Sequence, residues 1–310
     1  MNDDIYFYDL EFNLLYILPA FSESGGYISV NCDKDFNGNG SLEIIFYDEA
    51  LKQLIKSKPT EIFLRWGNFE GFITSYQFTN LQYRIMGMSL NGLVHRAVVP
   101  ITSAGGTAES IAKYIITQHV PWLTFGNNAG FTKNITFATD TYKPCDEVLQ
   151  DLFDKDSGGY EISADIKNKK FIFNPKKMSE SDLILSDGNL NAYNFTEDFN
   201  GKEIAYSGWY KNSSNEWQSI TTQSKSGIYG ISCVLSAGNA TDAAEELKEK
   251  KAEKSITADI KSLQYGVDYQ LGDIVRLQND DITVKKVITS VNMHHDNGYG
   301  TTPTFKDWEE

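Results

Sequence analysis

The chain has 310 residues and a mass of 34.9 kDa, with 41% hydrophobic and 23% charged residues. This composition excludes the hydrophobicity-poor mixtures that remain disordered, and the length favours two or more structural units with at least one sizeable core. No apolar run of about 18 residues occurs, and Asn2, Asp3 and Asp4 stand where a signal peptide would carry positive charge. We therefore expect neither a membrane-spanning segment nor export by a signal peptide.

The charge balance argues against a nucleic-acid partner. The 28 basic and 42 acidic side chains give a net charge of -14, which opposes binding to a polyanion such as DNA. The densest basic run, Lys167 to Lys170, lies between two apolar strand-like segments. We interpret this run as the solvated tip of a hairpin, and we expect no specific nucleic-acid recognition.

Residues 1–100 consist mainly of short alternating segments broken by Gly, Asn and Asp, a pattern typical of strand-rich proteins. A short helix is predicted from Asp48 to about Lys56, before Pro59. So many short strands favour a closed or nearly closed barrel, because closure removes exposed strand edges. The predicted strands are Ile5 to Tyr8, Leu14 to Leu18, Tyr27 to Cys32, Leu42 to Phe46, and a meander on residues 61–66, 72–78 and 81–85.

Residues 101–182 have a different pattern and are predicted to form a small α+β insert. Pro residues and Gly pairs mark where its helices begin and end. The predicted elements are a helix from Thr107 to about His119 that buries Ile111, Ile115 and Tyr114, a helix with Pro144 at its first position that carries Val148, Leu149, Leu152 and Phe153, and a hairpin of Tyr160 to Ile166 with Lys170 to Phe173.

Residues 183–310 are again strand-like and are predicted to form a second β-rich, barrel-like domain. A helix is predicted from about Ala240 to Lys254, with Asn239 as its cap, acidic residues early and lysines late. Its apolar face is thin and mostly alanine, so we expect it to lie close on a sheet or on a subunit surface. The predicted fold is therefore mainly β, with two β-barrel-like domains bracketing a small α+β region.

Few residues suggest chemistry. His294, His295 and Asp296 form the densest histidine cluster, but neighbouring strand residues point to opposite faces and do not easily bind one ion. His95 and His119 follow apolar stretches and are interpreted as surface or boundary residues.

Cysteine and glycine patterns are equally uninformative about catalysis. Cys32, Cys145 and Cys233 are far apart and lack the spacing of a disulfide framework or a zinc site, so each is interpreted as a small core residue. Residues 103–107 are glycine-rich and precede a helix, but they lack the lysine of a phosphate-binding loop.

Carboxylates are abundant, so pairs suited to acid/base catalysis can be chosen in many places. Glu161 and Asp165 share a strand face, and Asp151 and Asp154 share a helix, but we interpret all four as solvated charges. Asp280 and Asp281 fit a turn, with neither the length nor the spacing of a calcium loop. We predict no catalytic, cofactor-binding or metal-binding residue, and no cofactor.

Two passages resemble a known family. The first comprises Tyr6 to Asn13, Gly40 to Ile44 with the following helix, Gly71 to Ile73, and Gly87 to Arg96. It is similar to the N-terminal barrel of the tail hub proteins of phages, prophages and phage-tail-like particles. The second, Tyr269 to Val275, resembles the Y-x-L-G-D-I-V strand entry near the C-terminus of the same hubs, preceded here too by an Ala/Glu/Lys helix.

The resemblance implies a structural baseplate or tail hub protein, not an enzyme. Such a hub is a homotrimer whose two β domains per chain match a hexameric tail tube, or a distal tail protein, to a trimeric tip or spike. A further implied partner is the tape-measure protein. If the ring encloses a channel through which DNA passes, the acidic surplus is expected to keep DNA from sticking to the channel wall. The implied location is the virion or a phage-tail-like particle such as a tailocin, assembled in the bacterial host cytoplasm.

Two other functions stay open from the residues. Some related hubs continue into a peptidoglycan hydrolase, so a tail-associated cell-wall or carbohydrate hydrolase is one alternative, although this sequence stops at Glu310 and no catalytic constellation is found in it. A carbohydrate-binding receptor adhesin is the other, because the plentiful Tyr and Trp side chains can stack on sugars.

Overall fold

The computed structural model describes residues 4–20, 26–58, 60–79, 82–100, 102–189, 191–198, 205–221, 230–250, 255–260, 263–279, 282–295 and 299–308. Within these residues the fold is mainly β, as predicted. None of the described helices is both long enough and apolar enough to cross a bilayer. Several residues of the sequence predictions lie outside the described residues, among them Pro59, Leu81, Asp280, Asp281 and Asp296.

The N-terminal part forms a run of antiparallel strands interrupted by one helix. Asp48 caps this helix, because its carboxylate accepts a hydrogen bond from the Leu51 amide at 2.8 Å. A short 3₁₀ helix, Leu90–Arg96, then leads out of the sheet. The elements are β1 (Ile5–Asp9), β2 (Leu14–Leu18), β3 (Tyr27–Asp35), β4 (Ser41–Phe46), α1 (Glu49–Ser57), β5 (Ile62–Trp66), β6 (Phe69–Phe78) and β7 (Tyr83–Ser89).

The middle part contains the predicted helices and hairpin. Thr107 caps the first helix as expected, but Tyr114 is 52% exposed and not buried, because it lies beside the stripe of Ile111 and Ile115 that faces the core. The second helix begins at Cys145, one residue after Pro144. The elements are β8 (Val98–Val99), β9 (Ser103–Gly106), α2 (Ala108–His119), β10 (Leu123–Phe125), β11 (Ile135–Ala138), β12 (Lys143–Pro144), α3 (Cys145–Asp154), β13 (Gly158–Asp165) and β14 (Lys170–Lys177).

The C-terminal part returns to strands around one helix. Asn239 caps that helix as predicted, accepting a hydrogen bond from the Asp242 amide at 3.0 Å. The helix is described to Glu249, and residues 251–254 lie outside the described part. The elements are β15 (Ser179–Ser186), β16 (Ala192–Asp198), β17 (Ser207–Lys211), β18 (Trp217–Thr221), β19 (Ser232–Val234), α4 (Ala240–Glu249), β20 (Ser255–Ile260), β21 (Asp273–Asn279), β22 (Ile282–His295) and β23 (Tyr299–Asp307).

Strands from both ends of the chain share one 11-stranded sheet in the order β15-β21-β22-β3-β4-β7-β6-β5-β1-β2, with β23 also paired to β22. The expected barrels are not found: among the described strands, this sheet is open between β15 and β2. The physical reason is the long strand β22. It pairs with β21 near its start and with β3 near its end, where Met293 lies opposite Cys32, so the two expected modules merge.

Two compact units make up the chain. One comprises Met1–Asn191 and Ile260–Glu310, and the other comprises Ala192–Asp259. The boundaries predicted at residues 100/101 and 182/183 stay a prediction.

The first unit has a core in which the N-terminal sheet and the α+β insert are continuous. Phe12 and Phe63 of the N-terminal part lie in the same buried cluster as Phe171 and Phe173 of the β13–β14 hairpin. The rings of Phe12 and Phe171 are 4.7 Å apart, which is within the range of favourable aromatic packing.

Buried Asn91, in the 3₁₀ helix, adds polar contacts to this junction. Its amide group donates to the carbonyls of Gly38 (2.9 Å) and Tyr160 (3.1 Å) and accepts from the Ile162 amide (2.8 Å). Asn91 thus holds the insert hairpin against the N-terminal sheet.

Candidate functional site

The described residues among those that the sequence singled out for chemistry do not converge on one site. His294 and His295 lie in β22 opposite Asn31 and Val30, on alternating faces as expected. His95 contacts Asp146, with 3.0 Å between its Nδ1 and the Asp146 Oδ1. Among the described residues no group of His, Cys, Asp and Glu side chains has a metal-binding arrangement.

Two of the three cysteines are buried and are poor nucleophiles. Cys32 and Cys145 are fully buried, and burial raises the pKa of both thiols, that of Cys145 to about 12. Cys145 therefore stays protonated near neutral pH, although Asp146, the next residue of its helix, contacts His95.

A charged cleft of about 420 Å³ lies where three parts of the first unit meet. Lys34 comes from β3, Glu161 from β13 and Lys176 from β14, and Glu161 forms ion pairs with both lysines. The Lys34 side chain is only 11% exposed, and its ammonium group also donates to the Asn68 carbonyl at 3.0 Å. Asn68 in turn donates to the carbonyl of Tyr265, so the C-terminal part joins the same network.

A second carboxylate lines the charged cleft. Glu70 of β6 accepts a hydrogen bond from the Ala164 amide at 2.8 Å, and its other oxygen lies 3.5 Å from the Nε of Arg65. Burial raises the pKa of Glu70, and the Ala164 amide and Arg65 only partly oppose this.

The two carboxyl groups of the charged cleft have opposite pKa shifts. Burial acts to raise the pKa of Glu161 as well, but the charges and hydrogen bonds of Lys34 and Lys176 outweigh it and lower the pKa to about 2. The expectation that Glu161 is a solvated charge is therefore wrong, because its side chain is 23% exposed and held by two lysines.

The other acidic candidates lie at the surface. Asp165 accepts hydrogen bonds from Asn168 at the hairpin tip, and Asp151 pairs with Lys143 at 2.8 Å.

Opposed pKa shifts in a carboxylate pair are used by some hydrolases for acid and base roles. Here both groups are already engaged: Glu161 by two ammonium groups and Glu70 by a backbone amide. This arrangement neutralises charge between β3, β6 and β13. It is better suited to holding these strands together than to catalysing a reaction.

The second unit has an exposed aromatic face on its three-stranded sheet of β18, β17 and β19. Trp209 lies opposite Ser219 and Val234, and Lys211 lies opposite Trp217, so these side chains share one face of the sheet. Trp209 and Trp217 are each about half exposed, and the Lys211 ammonium group lies 5.3 Å from the Trp217 ring centre.

The opposite face of that sheet is covered by α4. Buried Ala243 and Leu247 of this helix pack with Tyr210 and Leu235, which confirms that the thin apolar face of the helix lies close on a sheet. The aromatic face, defined by Trp209, Trp217 and Val234, is thus left exposed by the described residues of the second unit.

Comparison with known proteins relates the fold to phage tails. No family model and no curated protein matches the sequence. The solved structures include the 43 kDa tail protein of prophage MuSo2 from Shewanella oneidensis, with a TM-score of 0.57, 11% identity and 98% of both chains covered.

Two further solved structures of tail proteins are similar to the chain in fold. The tail protein from Neisseria meningitidis MC58 has a TM-score of 0.56 at 11% identity, over 98% of this chain and 96% of that one. The prophage tail protein gp18 from Listeria monocytogenes EGD-e has a TM-score of 0.55 at 11% identity, over 98% of this chain and 94% of that one. The chain therefore has the fold of prophage tail proteins, which confirms the resemblance at the level of the fold.

Proposed function

We propose that this chain is a structural hub protein of a phage tail or a phage-tail-like particle, located at the tail tip or baseplate and assembled in the host cytoplasm. The observation that supports this most is a fold shared over 98% of both chains with a prophage tail protein. Because that likeness runs almost end to end, it concerns the whole architecture and not one common motif.

In this proposal three chains form a homotrimer. Each contributes two β-rich parts, so that six quasi-equivalent surfaces meet a hexameric tail tube or distal tail protein, and three meet a trimeric tip or spike. In this proposal one surface comes from β1 to β7 of the N-terminal part and the other from β21 to β23 of the C-terminal part, although all of these strands share one sheet. The tape-measure protein is the proposed partner inside the ring.

The charged cleft fits this structural role. Its ion pairs and hydrogen bonds tie the N-terminal sheet, the insert hairpin and Tyr265 to one another. A hub that joins other components needs such internal ties, because load applied at one segment must reach the others. We propose no hydrolase at this cleft.

The net charge of -14 per chain supports a further part of the proposal. Three copies around a channel concentrate negative charge, and like charge keeps DNA from adhering to the wall. A cryo-EM structure of the assembled ring tests this point. An acidic channel is expected, and a neutral or basic channel rejects it.

The location is tested on particles that carry an epitope-tagged copy of the chain, using gold-labelled antibody and negative-stain electron microscopy. We expect gold at the tail tip of intact particles. Label absent from purified particles, or spread along the tube, contradicts the hub proposal. A tagged tube protein serves as the positive control for labelling.

Glycan binding is a second candidate, favoured by the aromatic face. Half-exposed Trp209 and Trp217, with the hydroxyls of Ser207 and Ser219 on the same face, have the composition of a sugar-stacking surface. A glycan array with the native chain and a Trp209→Ala/Trp217→Ala variant tests this. Tyr142→Ala, at a 69% exposed position elsewhere, is the control. Identical array profiles for all three proteins remove this candidate.

A further inference from the structure

A cationic pocket in the first unit belongs to none of the sites above. Its cavity of about 360 Å³ is within the size range of about 300–1,000 Å³ for ligand pockets. Its floor consists of buried Phe12, Leu93 and Phe171. Phe12 is held in a tight turn, with a φ of 64° and its amide donating to the Asp9 carbonyl at 3.0 Å.

The opening of the cationic pocket exposes large apolar side chains. Trp122 is 44% exposed and Leu10 is 36% exposed, and both line the cavity. The Trp122 ring packs edge-on against Phe171 at 6.2 Å, so its orientation is set by the floor. A partly exposed tryptophan beside an apolar cavity has the character of an anchor residue in protein interfaces.

Three cations surround this apolar cavity: Arg96, Lys169 and Lys170. Among the described residues no carboxylate lines the cavity, and none of the three cations forms an ion pair. Arg96 lies 5.2 Å from the Phe72 ring centre, and Lys169 donates to the amide oxygen of Asn13 at 3.3 Å. Both partners are neutral, so the positive charges of Arg96 and Lys169 stay available.

The local charge is opposite to that of the whole molecule, which has 42 acidic against 28 basic side chains. Asp165, the strand partner of Lys170, accepts hydrogen bonds from Asn168 and also feels the charge of Lys170, but it is not among the lining residues. A partner that supplies an apolar group and negative charge therefore complements both properties of the pocket.

We propose that the cationic pocket binds an acidic peptide segment of a partner protein, which inserts one aromatic or long aliphatic side chain. The inserted side chain packs on Phe12 and Phe171 beside Trp122. Carboxylates that flank it in the partner pair with Arg96, whose planar guanidinium suits bidentate binding, and with the two lysines. This binding activity goes beyond the hub proposal and does not depend on the oligomeric state.

The test uses the full chain and a fluorescein-labelled synthetic peptide with a central tryptophan flanked by Glu and Asp, measured by fluorescence anisotropy. Lys169→Glu and Trp122→Ala are each expected to weaken binding about tenfold or more. Lys167→Glu is the matched control: it makes the same charge change on the same hairpin tip, outside the lining, and should change affinity less than about twofold. Glu and Lys are both straight-chain residues, so the substitution at Lys169 adds little strain at its φ of 51°.

Two control peptides separate the contributions. Replacing the central tryptophan by alanine, or the acidic flanks by lysine, should each abolish measurable binding if the pocket acts as proposed, and affinity should fall with added salt. Circular dichroism confirms that each variant is folded. The proposal is overturned if the acidic peptide does not bind at millimolar concentration, or if Lys169→Glu and Lys167→Glu have the same affinity for it. It is also overturned if anionic phospholipid vesicles bind the pocket with higher affinity than the peptide does.

Discussion

Replacing Glu161 with glutamine removes the shared negative charge of the cleft and keeps the shape of the side chain. Lys34 and Lys176 then lie near each other without a carboxylate between them. Lys34 is the more sensitive of the two, because its side chain is only 11% exposed and retains one described acceptor, the Asn68 carbonyl. Removing one partner of a fully buried ion pair costs about 3–5 kcal/mol, because the other charge stays buried.

The magnitude follows from the pKa of Glu161, which folding lowers from 4.5 to about 2. Each pKa unit corresponds to about 1.4 kcal/mol, so the ionised group contributes about 3 kcal/mol at neutral pH. Its side chain is 23% exposed, which keeps the value at the lower end of the range for buried pairs. Since the folded-state pKa is the lower one, this stabilisation is complete above a pH of about 4.5 and is lost as the pH falls towards about 2.

Thermal unfolding followed by circular dichroism measures the effect. A loss of about 3 kcal/mol lowers the Tm by about 6–12 °C for a unit of this size. Glu70→Gln is the matched control, because burial raises the pKa of Glu70 and removal of its charge therefore costs less. Equal Tm values for the two variants at neutral pH, or a deficit for Glu161→Gln that persists unchanged in acid, would show that the Glu161 charge does not stabilise the fold.

Three further changes test other parts of the structure. Asn91→Ala removes three hydrogen bonds of a buried amide and should lower the free energy of unfolding by about 3 kcal/mol in a urea titration; an unchanged midpoint contradicts its positioning role. Leu247→Ala leaves a cavity under α4 and should cost about 2–5 kcal/mol. Limited proteolysis of Leu247→Ala should then cut first within Ala192–Asp259. Lys248→Ala, at an exposed neighbouring residue, is the control, and equal resistance of the two variants to the protease contradicts the prediction. Cys145, with a pKa raised by burial to about 12, should resist a thiol reagent while partly exposed Cys233 reacts, and the reverse order rejects the assigned burial.

Local chemistry made the helices and most strands predictable. Asp48, Thr107 and Asn239 cap their helices through contacts three residues away, so the signal lies within a few letters of sequence. The Lys167 to Lys170 run is the tip of the β13–β14 hairpin for a similar reason, because alternating residues on both sides define the two strands.

Long-range pairing was not predictable from these patterns. Alternation shows that β3 and β22 are strands, but it does not show that Met293 lies opposite Cys32, and this pairing is what joins the two expected barrels into one open sheet. Glu161 was misassigned for the same reason. Of its two lysine partners, Lys34 is the more buried and lies far away in sequence, and a charged residue in a strand gives no local sign that such a partner is buried with it.

The cationic pocket also depends on distant segments. Lys169 and Lys170 were predicted at a hairpin tip, but Phe12 and Trp122 reach the same cavity from the β1–β2 turn and from the segment before β10. Only the folded chain brings an apolar floor and a cationic rim together.

The proposed hub requires that three copies of this chain assemble into one ring. Native mass spectrometry of the purified full chain at micromolar concentration tests this directly. A homotrimer gives a dominant species of three times 34.9 kDa. A species of one chain mass at every concentration examined would contradict it.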